Sequence, residues 1–435
     1  MCRAALGGLI AAFAFGAAPA MAQTIGGPGQ DDPSQDISIE GIGFAKLILE
    51  WKVNPELAGN PSFARIGALL EKNLCWSGVF NLWGGKTRFC SLRSEPQRID
   101  LRLELFRKGK VLLVRLVDAG PEKLILHDDQ LSLERRVSEP EVMTLVNRLT
   151  ERITGQPGLL GSAIAFVLRQ PRYAKVIVAT NTHGSRLKLI SANPDINLLP
   201  RWAPSGGSIV YTVLGSRGSH VFLQSLSNNS ETPEGRFLTS QGTLNSGGAF
   251  SPDGKSVILT MSVNHNADLF FLDLETNRTR QLTDRSGIET QAHWAPDASR
   301  IVFVSDRTGS PQIYLLDLET NEQLRLTFES FYNADPKFSP DGQSILFTKR
   351  VNGVDQIHIM DPYGENVRAV TRGRFTSEQP EWSPDGRQII FASNRTGDFK
   401  LYVVSTDGSN LRRLTRTGVG FEESSPSWTP RPLAR

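Results

Sequence analysis

Phe338-Ser339-Pro340-Asp341-Gly342 decides the fold, because it does not stand alone. The same core returns as Phe250-Ser251-Pro252-Asp253-Gly254 and Trp382-Ser383-Pro384-Asp385-Gly386. Looser copies stand at Trp202-Ala203-Pro204, Trp294-Ala295-Pro296-Asp297 and Trp428-Thr429-Pro430. The six prolines lie at 204, 252, 296, 340, 384 and 430, giving spacings of 48, 44, 44, 44 and 46. Within each copy the aromatic is read as the start of a short strand. Pro-Asp-Gly makes a tight turn, because Pro presets φ, Asp bonds back to its own backbone and Gly takes positive φ. A β-branched strand follows (344–348, 389–392), then a polar turn such as Asp306-Arg307-Thr308-Gly309, a third strand (312–318, 400–405) and a short fourth at Arg413-Leu414-Thr415. Four strands in about 44 residues make a propeller blade.

Six cores imply six blades, but the ends are uneven. The core at Trp428 carries a single strand, and the three strands it lacks are found before the first core, at 163–169, 175–180 and 186–191. The first and last segments therefore share one blade, which removes the exposed edges an open sheet presents. The expected propeller spans 161–435.

Upstream, 37–155 reads as a small α/β unit joined by a linker at 156–160 (Gln156-Pro157-Gly158 at its centre). A strand is expected at 44–51. Asn60 and Pro61 form an N-cap and first helical position, followed by Phe63, Ile66, Leu69, Leu70 and Leu74 at helical spacing, with Gly78 as the stop. Leu101, Leu103 and Leu105 alternate with polar residues, and Lys108-Gly109-Lys110 turns the chain into a returning strand at 111–117. Ser138 and Glu141 form a capping box for a second helix ending at Gly155. The fold class is thus a small α/β N-terminal domain followed by an all-β six-bladed propeller.

Residues 1–22 read as a signal peptide: Arg3, an apolar run at 4–18 too short for a bilayer, and an Ala20-Met21-Ala22 cleavage site. The segment 23–36 is rich in Gly, Pro, Asp and Gln and is expected to be a flexible tail. Export places the chain in an oxidising compartment, where Cys75 and Cys90 either form a disulfide or remain two buried thiols. With 48 Lys+Arg against 45 Asp+Glu, charge is balanced and no basic run stands out, which argues against nucleic-acid binding. No later segment is long and apolar enough for membrane insertion, and the chain is expected to be a monomer.

Catalytic and cofactor signatures do not stand out. No Gly-x-Ser-x-Gly pentapeptide occurs, so the hydrolase of propeller-gated peptidases has no nucleophile here. His127, His183, His220, His265, His293 and His358 are scattered, none at metal-ligand spacing. No phosphate loop or dinucleotide fingerprint appears, so no metal and no cofactor is expected. The repeated Asp253, Asp297, Asp341 and Asp385 serve their turns.

The residues three to five places before each aromatic are expected to form the mouth of the central channel. They are Asn197, Leu198 and Leu199; Asn245, Ser246 and Gly247; Glu289, Thr290 and Gln291; Asn333, Ala334 and Asp335; Ser377, Glu378 and Gln379; Glu423, Ser424 and Ser425. Amide, hydroxyl and carboxylate groups in a ring suit the loops and helix termini of a protein partner. Glu289, Thr290, Glu378 and Glu423 are the strongest candidates.

These repeats resemble the TolB family, the periplasmic component of the Tol-Pal system of Gram-negative bacteria. Ile66-Gly67-Ala68-Leu69-Leu70 running to Leu74, then Ser77-Gly78-Val79-Phe80, looks like the family's helix ending in Ser-Gly-x-Phe. The stretch 149–155, Gly158 and Ile164-Ala165-Phe166-Val167 look like its domain junction. The segment 81–98, with Trp83 and Cys90, departs from the pattern. The resemblance implies a protein-binding scaffold and no enzyme. It implies that the mouth receives Pal, the peptidoglycan-associated lipoprotein, and that Ile37-Ser38-Ile39-Glu40 forms an arm toward the inner-membrane protein TolA. The role implied is coupling of the outer-membrane lipoprotein to an inner-membrane complex, supporting envelope integrity and cell division. Two other readings stand beside it: a secreted propeller with different partners, and a hydrolase with its site at the propeller mouth.

Overall fold

The computed structural model describes residues 46–432 apart from 58, 86–89, 91, 93–95, 171–174, 192–193, 217, 227–233, 240–243 and 264–265. The expected leader, tail and arm (1–22, 23–36 and 37–40) lie outside the described residues.

A five-stranded sheet comes first. It is built from β1 (Leu47–Val53), β2 (Phe80–Trp83), β3 (Leu101–Lys108), β4 (Val111–Asp118) and β5 (Ile125–Ser132) in the order β2-β1-β3-β4-β5. β1 lies parallel to both β2 and β3, while β3, β4 and β5 form an antiparallel meander. The strand expected at 44–51 thus runs a little later than its hydrophobic run suggested. Helices α1 (Pro61–Trp76) and α2 (Glu139–Thr154) complete the unit. Asn60 caps α1 by accepting from the Phe63 N–H at 3.1 Å, and Ser138 and Glu141 form the capping box of α2. Gly155 ends α2 at φ 69, a left-handed cap that costs glycine little. Leu49, Leu70, Leu74, Leu103, Val114, Val142 and Leu145 share one core. Cys75, in the last turn of α1, is disulfide-bonded to Cys90, which resolves the two alternatives left open by the sequence. Closing this loop, with a sequence separation of 15, stabilises by about 3 kcal/mol in the chain-entropy model.

Six four-stranded antiparallel sheets follow. Blades 1 to 5 have inner strands Ile196–Trp202, Asn245–Phe250, Glu289–Trp294, Asn333–Phe338 and Ser377–Trp382. Blade 6 is made by Glu422–Pro432, paired with Ser162–Arg169, Lys175–Asn181 and Lys188–Leu189, so both ends of the propeller share one sheet. Between each pair of neighbouring blades lies one apolar cluster. Ile258 and Leu269 of blade 2 meet Trp294 and Phe303 of blade 3, and Ala165 and Ile177 of blade 6 meet Ile209 and Tyr211 of blade 1.

The structure corrects one part of the repeat reading: the aromatic ends the inner strand instead of starting it. From there it crosses the seam, as when Trp294 Nε1 donates to the Ala249 carbonyl (3.1 Å) and Trp382 Nε1 to that of Lys337 (3.2 Å). The turn chemistry is as expected. Asp341 Oδ1 accepts from Ser339 Oγ (2.6 Å) and the Gln343 N–H (3.0 Å), and Gly342 stands at φ 71.

The α/β unit docks on the end of the propeller that carries the Pro-Asp-Gly turns. Gln388 Nε2 donates to the Trp76 carbonyl (2.7 Å), Asn410 Nδ2 to that of Cys75 (3.2 Å), and Lys46 pairs with Asp407 at 3.3 Å. The Trp76 and His183 rings meet at a tilt, with centroids 4.7 Å apart, and the Arg412 guanidinium sits 4.5 Å from the Trp76 ring.

Closure predicts a stability test. Trp428 is 8% exposed and its Nε1 donates to Ser162 Oγ (2.8 Å), so Trp428→Ala is expected to cost ~3–5 kcal/mol in denaturant unfolding. Removing residues 422–435 is expected to cost more, because the inner edge of Ser162–Arg169 loses its whole partner strand. A truncated chain that unfolds with the intact chain's midpoint would show that closure contributes nothing.

Candidate functional site: the channel mouth

Antiparallel alternation fixes which loops surround the channel entrance. Each inner strand starts at the end of the ring that also carries the hairpins between second and third strands. It finishes at the opposite end, beside the α/β unit. The mouth therefore faces away from that unit.

Six-fold repetition extends to backbone conformation. The third residue of the inner motif is left-handed in every blade: Leu199 (φ 52), Gly247 (75), Gln291 (54), Asp335 (53), Gln379 (53) and Ser425 (51). Register slips at the same place, for example between Thr290 and His293 and between Glu378 and Glu381. Each inner strand thus carries a bulge, and prolines at 200, 336, 380 and 426 sit within these bulges, where a ladder hydrogen bond is already missing.

The bulge sorts the expected mouth residues into two sets. The first residue of each motif is buried: Asn197, Asn245, Glu289 and Glu423 at 0% exposure, Asn333 and Ser377 at 1%. Thr290 is buried as well. These residues brace the ring. Asn333 Nδ2 donates to Gln312 Oε1 of the preceding blade (3.0 Å), and Asn197 Nδ2 donates to the Lys175 carbonyl (3.4 Å). Glu423 accepts from the Leu401 N–H (2.9 Å) and from the hydroxyls of Thr415 and Thr417. Glu289, Thr290 and Glu423 are therefore corrected from partner-facing candidates to structural ones. Ser246, Gly247, Gln291, Asp335, Glu378 and Gln379 remain half-buried along the channel. Gln291 and Asp335 bond to each other across a seam: Gln291 Nε2 donates to Asp335 Oδ1 (2.7 Å), and Gln291 Oε1 accepts from the Asp335 N–H (2.8 Å). Ser425 N–H likewise donates to Gln379 Oε1 (2.7 Å).

Burial dominates the electrostatics. Glu378 is pushed up to about 8 by burial, then by the nearby carboxylates of Asp335 and Asp355, against the pull of Arg350 and Lys175. Glu289 rises to about 7, again mainly from burial. Its Oε1 accepts from Ser305 Oγ (2.7 Å) and Arg307 Nη2 (3.1 Å), while Oε2 has no donor and faces Asp268 of blade 2. Two buried carboxyls in contact hold one proton between them. The blade 2–3 seam is thus acid against acid where its neighbour uses Gln312 and Asn333.

Around the mouth the structure exposes apolar side chains that sequence reasoning missed. Phe331 is 90% exposed and Phe328 70%, both in the connection leading into blade 4, and Val419 is 93% exposed in the connection leading into the closing strand. Arg325 lies 4.8 Å from the Phe328 ring, and Arg350 lies 4.4 Å from Tyr332. Aromatic and Arg groups at a funnel rim are typical anchors of protein interfaces.

A family model described as the TolB beta propeller domain matches residues 150–432. The chain belongs to that family. The Tol-Pal system protein TolB of Desulfotalea psychrophila is 31% identical over 169 residues, which is 38% of this chain and 37% of that protein. The Tol-Pal system protein TolB of Chromobacterium violaceum is 28% identical over 209 residues, 44% of this chain and 47% of that protein. The alignments thus span less than half the length of these curated relatives. The crystal structure of TolB from Acinetobacter baumannii superposes with a TM-score of 0.68 at 26% identity, covering 91% of this chain and 99% of that one. Among the described residues, no helix is long and apolar enough to cross a membrane, and no group of three or more His, Cys, Asp or Glu residues has a metal-holding arrangement.

The acid pair generates a pH prediction. Because the folded-state value of Glu289 lies above its ordinary 4.5, its contribution is fully present below that value and is lost as pH rises through about 7. Glu289→Gln, whose amide donates to Asp268 without titrating, is expected to retain above pH 7 the stability that the native chain loses. Denaturant midpoints across this range check it, with Glu378 adding a separate loss near 8. A variant whose midpoint tracks the native profile would remove the shared proton.

Proposed function

We propose that this chain is a periplasmic protein-binding component of a Tol-Pal envelope system, with a Pal-like peptidoglycan-associated lipoprotein seated at the channel mouth. In this role it links the outer-membrane lipoprotein to an inner-membrane complex and supports envelope integrity during division, acting by binding and not by turnover. The observation that carries the reading is the superposition on A. baumannii TolB over nearly all of that chain, together with its propeller family. The mouth supports it chemically. Exposed Phe331 and Phe328 offer apolar anchors, and Glu378 with Asp335 offers acceptors within the funnel they surround.

Titration of a purified Pal periplasmic domain against the mature chain tests the mouth. Phe331→Ala and Glu378→Ala are each expected to weaken binding by ~2 kcal/mol, about thirtyfold, as central anchors do. Glu322→Ala, in an exposed turn at the opposite end of blade 3, is expected to change nothing. Equal losses from all three variants would remove the mouth as the contact.

The arm Ile37-Ser38-Ile39-Glu40 is proposed to contact a TolA-like inner-membrane protein by adding a strand to a partner sheet. Deleting residues 23–40 is expected to leave the propeller's unfolding midpoint unchanged and to weaken TolA binding at least tenfold. Unaltered affinity for a purified TolA domain would exclude the arm.

A further inference from the structure

The left-handed ring carries a side chain in five blades, Leu199, Gln291, Asp335, Gln379 and Ser425. Blade 2 contributes Gly247, and no atom lies within 4 Å of where its Cβ would stand. Gly248 follows it but faces Val210, which a Cβ there would meet at 2.8 Å, so the open position is Gly247 alone. The notch opens into a small cavity of about 30 Å³ lined by Arg201, Thr290, Gln291, Asp335 and Lys337. A volume of this size holds a group of a few heavy atoms at most.

Lys337 is the unusual member. It is 3% exposed, and its ammonium is ion-paired only at long range. The nearest carboxylate oxygen, Glu381 Oε2, is 4.0 Å away. Arg201 lines the same cavity from blade 1 and spends only Nη1, which donates to the carbonyls of Pro200 (2.8 Å) and Pro426 (3.3 Å). Its remaining N–H groups are uncommitted. Asp335 lies within reach of both cations, but burial weakens its acidity and its oxygens are engaged, Oδ1 accepting from Gln291 (2.7 Å) and Oδ2 from Thr348 Oγ1 (3.1 Å), so it is a poor counter-ion for them. His293, next to this level, is held neutral by burial and by Lys337 and Arg201, and its Nδ1 accepts from the Phe338 N–H at 3.2 Å. Two cations of opposite walls thus line one gap, and because Glu381 stands no nearer than 4.0 Å, an anionic oxygen in the gap would offer the Lys337 ammonium a closer partner than it has.

We propose that the notch at Gly247 binds one carboxylate group, held between the Lys337 ammonium and the free N–H groups of the Arg201 guanidinium. A planar carboxylate suits two donors that face each other across a small cavity. The carboxylate belongs either to a free short-chain acid or to an acidic side chain inserted by a mouth partner. Charge on Lys337 sets the pH range. Burial, then Arg201, pushes it down to about 8, against Glu381 and Asp335, so binding is present below that value and lost above it.

The test is calorimetric titration of acetate into the mature chain at constant ionic strength, near pH 6.5 and again near pH 9.5. Saturable millimolar binding is expected at the lower pH and at least tenfold weaker binding at the higher one. Lys337→Met is expected to weaken it at least tenfold. Gly247→Asn, which tolerates positive φ and fills the notch, is expected to abolish it while the thermal midpoint stays near native. Acetate that competes with a bound Pal domain assigns the site to an inserted acidic side chain, and acetate that binds without competing assigns it to a free acid. No saturable acetate binding by the native chain, equal binding of chloride, or undiminished binding by a folded Gly247→Asn chain would overturn the site.

Discussion

The ladder between Glu422–Pro432 and Ser162–Arg169 is the pairing on which the rest depends. Every apolar cluster of the propeller sits between two blades and not within one, so a blade is stable only if both neighbours are present. Five seams follow from the repeat itself. The sixth exists because the last strand of the chain joins a sheet whose other strands were laid down some 250 residues earlier, as the Arg169–Glu422 ion pair shows. With that seam closed, Ser162–Arg169 no longer lacks an inner partner, and all six blades are four-stranded.

Closure also crowds the channel. Inner strands that converge on an axis leave little room for side chains, and the bulge resolves the crowding by turning one residue per blade toward the axis and burying another against the neighbouring blade. The cost falls on polar groups. Carboxyls such as Glu289, Glu378 and Asp335 are held in surroundings that disfavour charge, and all three bind protons more tightly than in water. An opening lined this way is stiff and electrostatically responsive, which is what selective binding of a polar partner asks of a funnel.

How much of this was legible in the sequence depended on whether the chemistry was local. Turns were legible because Pro, Asp and Gly act within four residues, and the helix caps at Asn60 and Ser138 for the same reason. Closure was legible by counting strands. The aromatic was set at the wrong end of its strand, because the strand before it runs through a bulge, with prolines at 336 and 380, that is visible only in three dimensions. The mouth was half legible. Asn, Glu and Ser at its first position look solvent-facing, yet their partners lie on another blade, as Gln312 does for Asn333. Phe328 and Phe331 were not singled out; the available signal was two aromatics flanking Glu329-Ser330, outside any strand period. The disulfide was beyond reach, since spacing does not report whether two β-carbons approach.

Sharing a blade between the two ends sets the order in which the molecule comes into being. A chain synthesised from residue 1 onward displays the strands of 162–189 as an incomplete sheet until its final eleven-residue strand has left the ribosome. Nascent intermediates are therefore open arcs, with one inner edge unpaired throughout synthesis. Such arcs fold late, by long-range contacts, and remain threadable through a narrow pore for as long as the last strand is withheld.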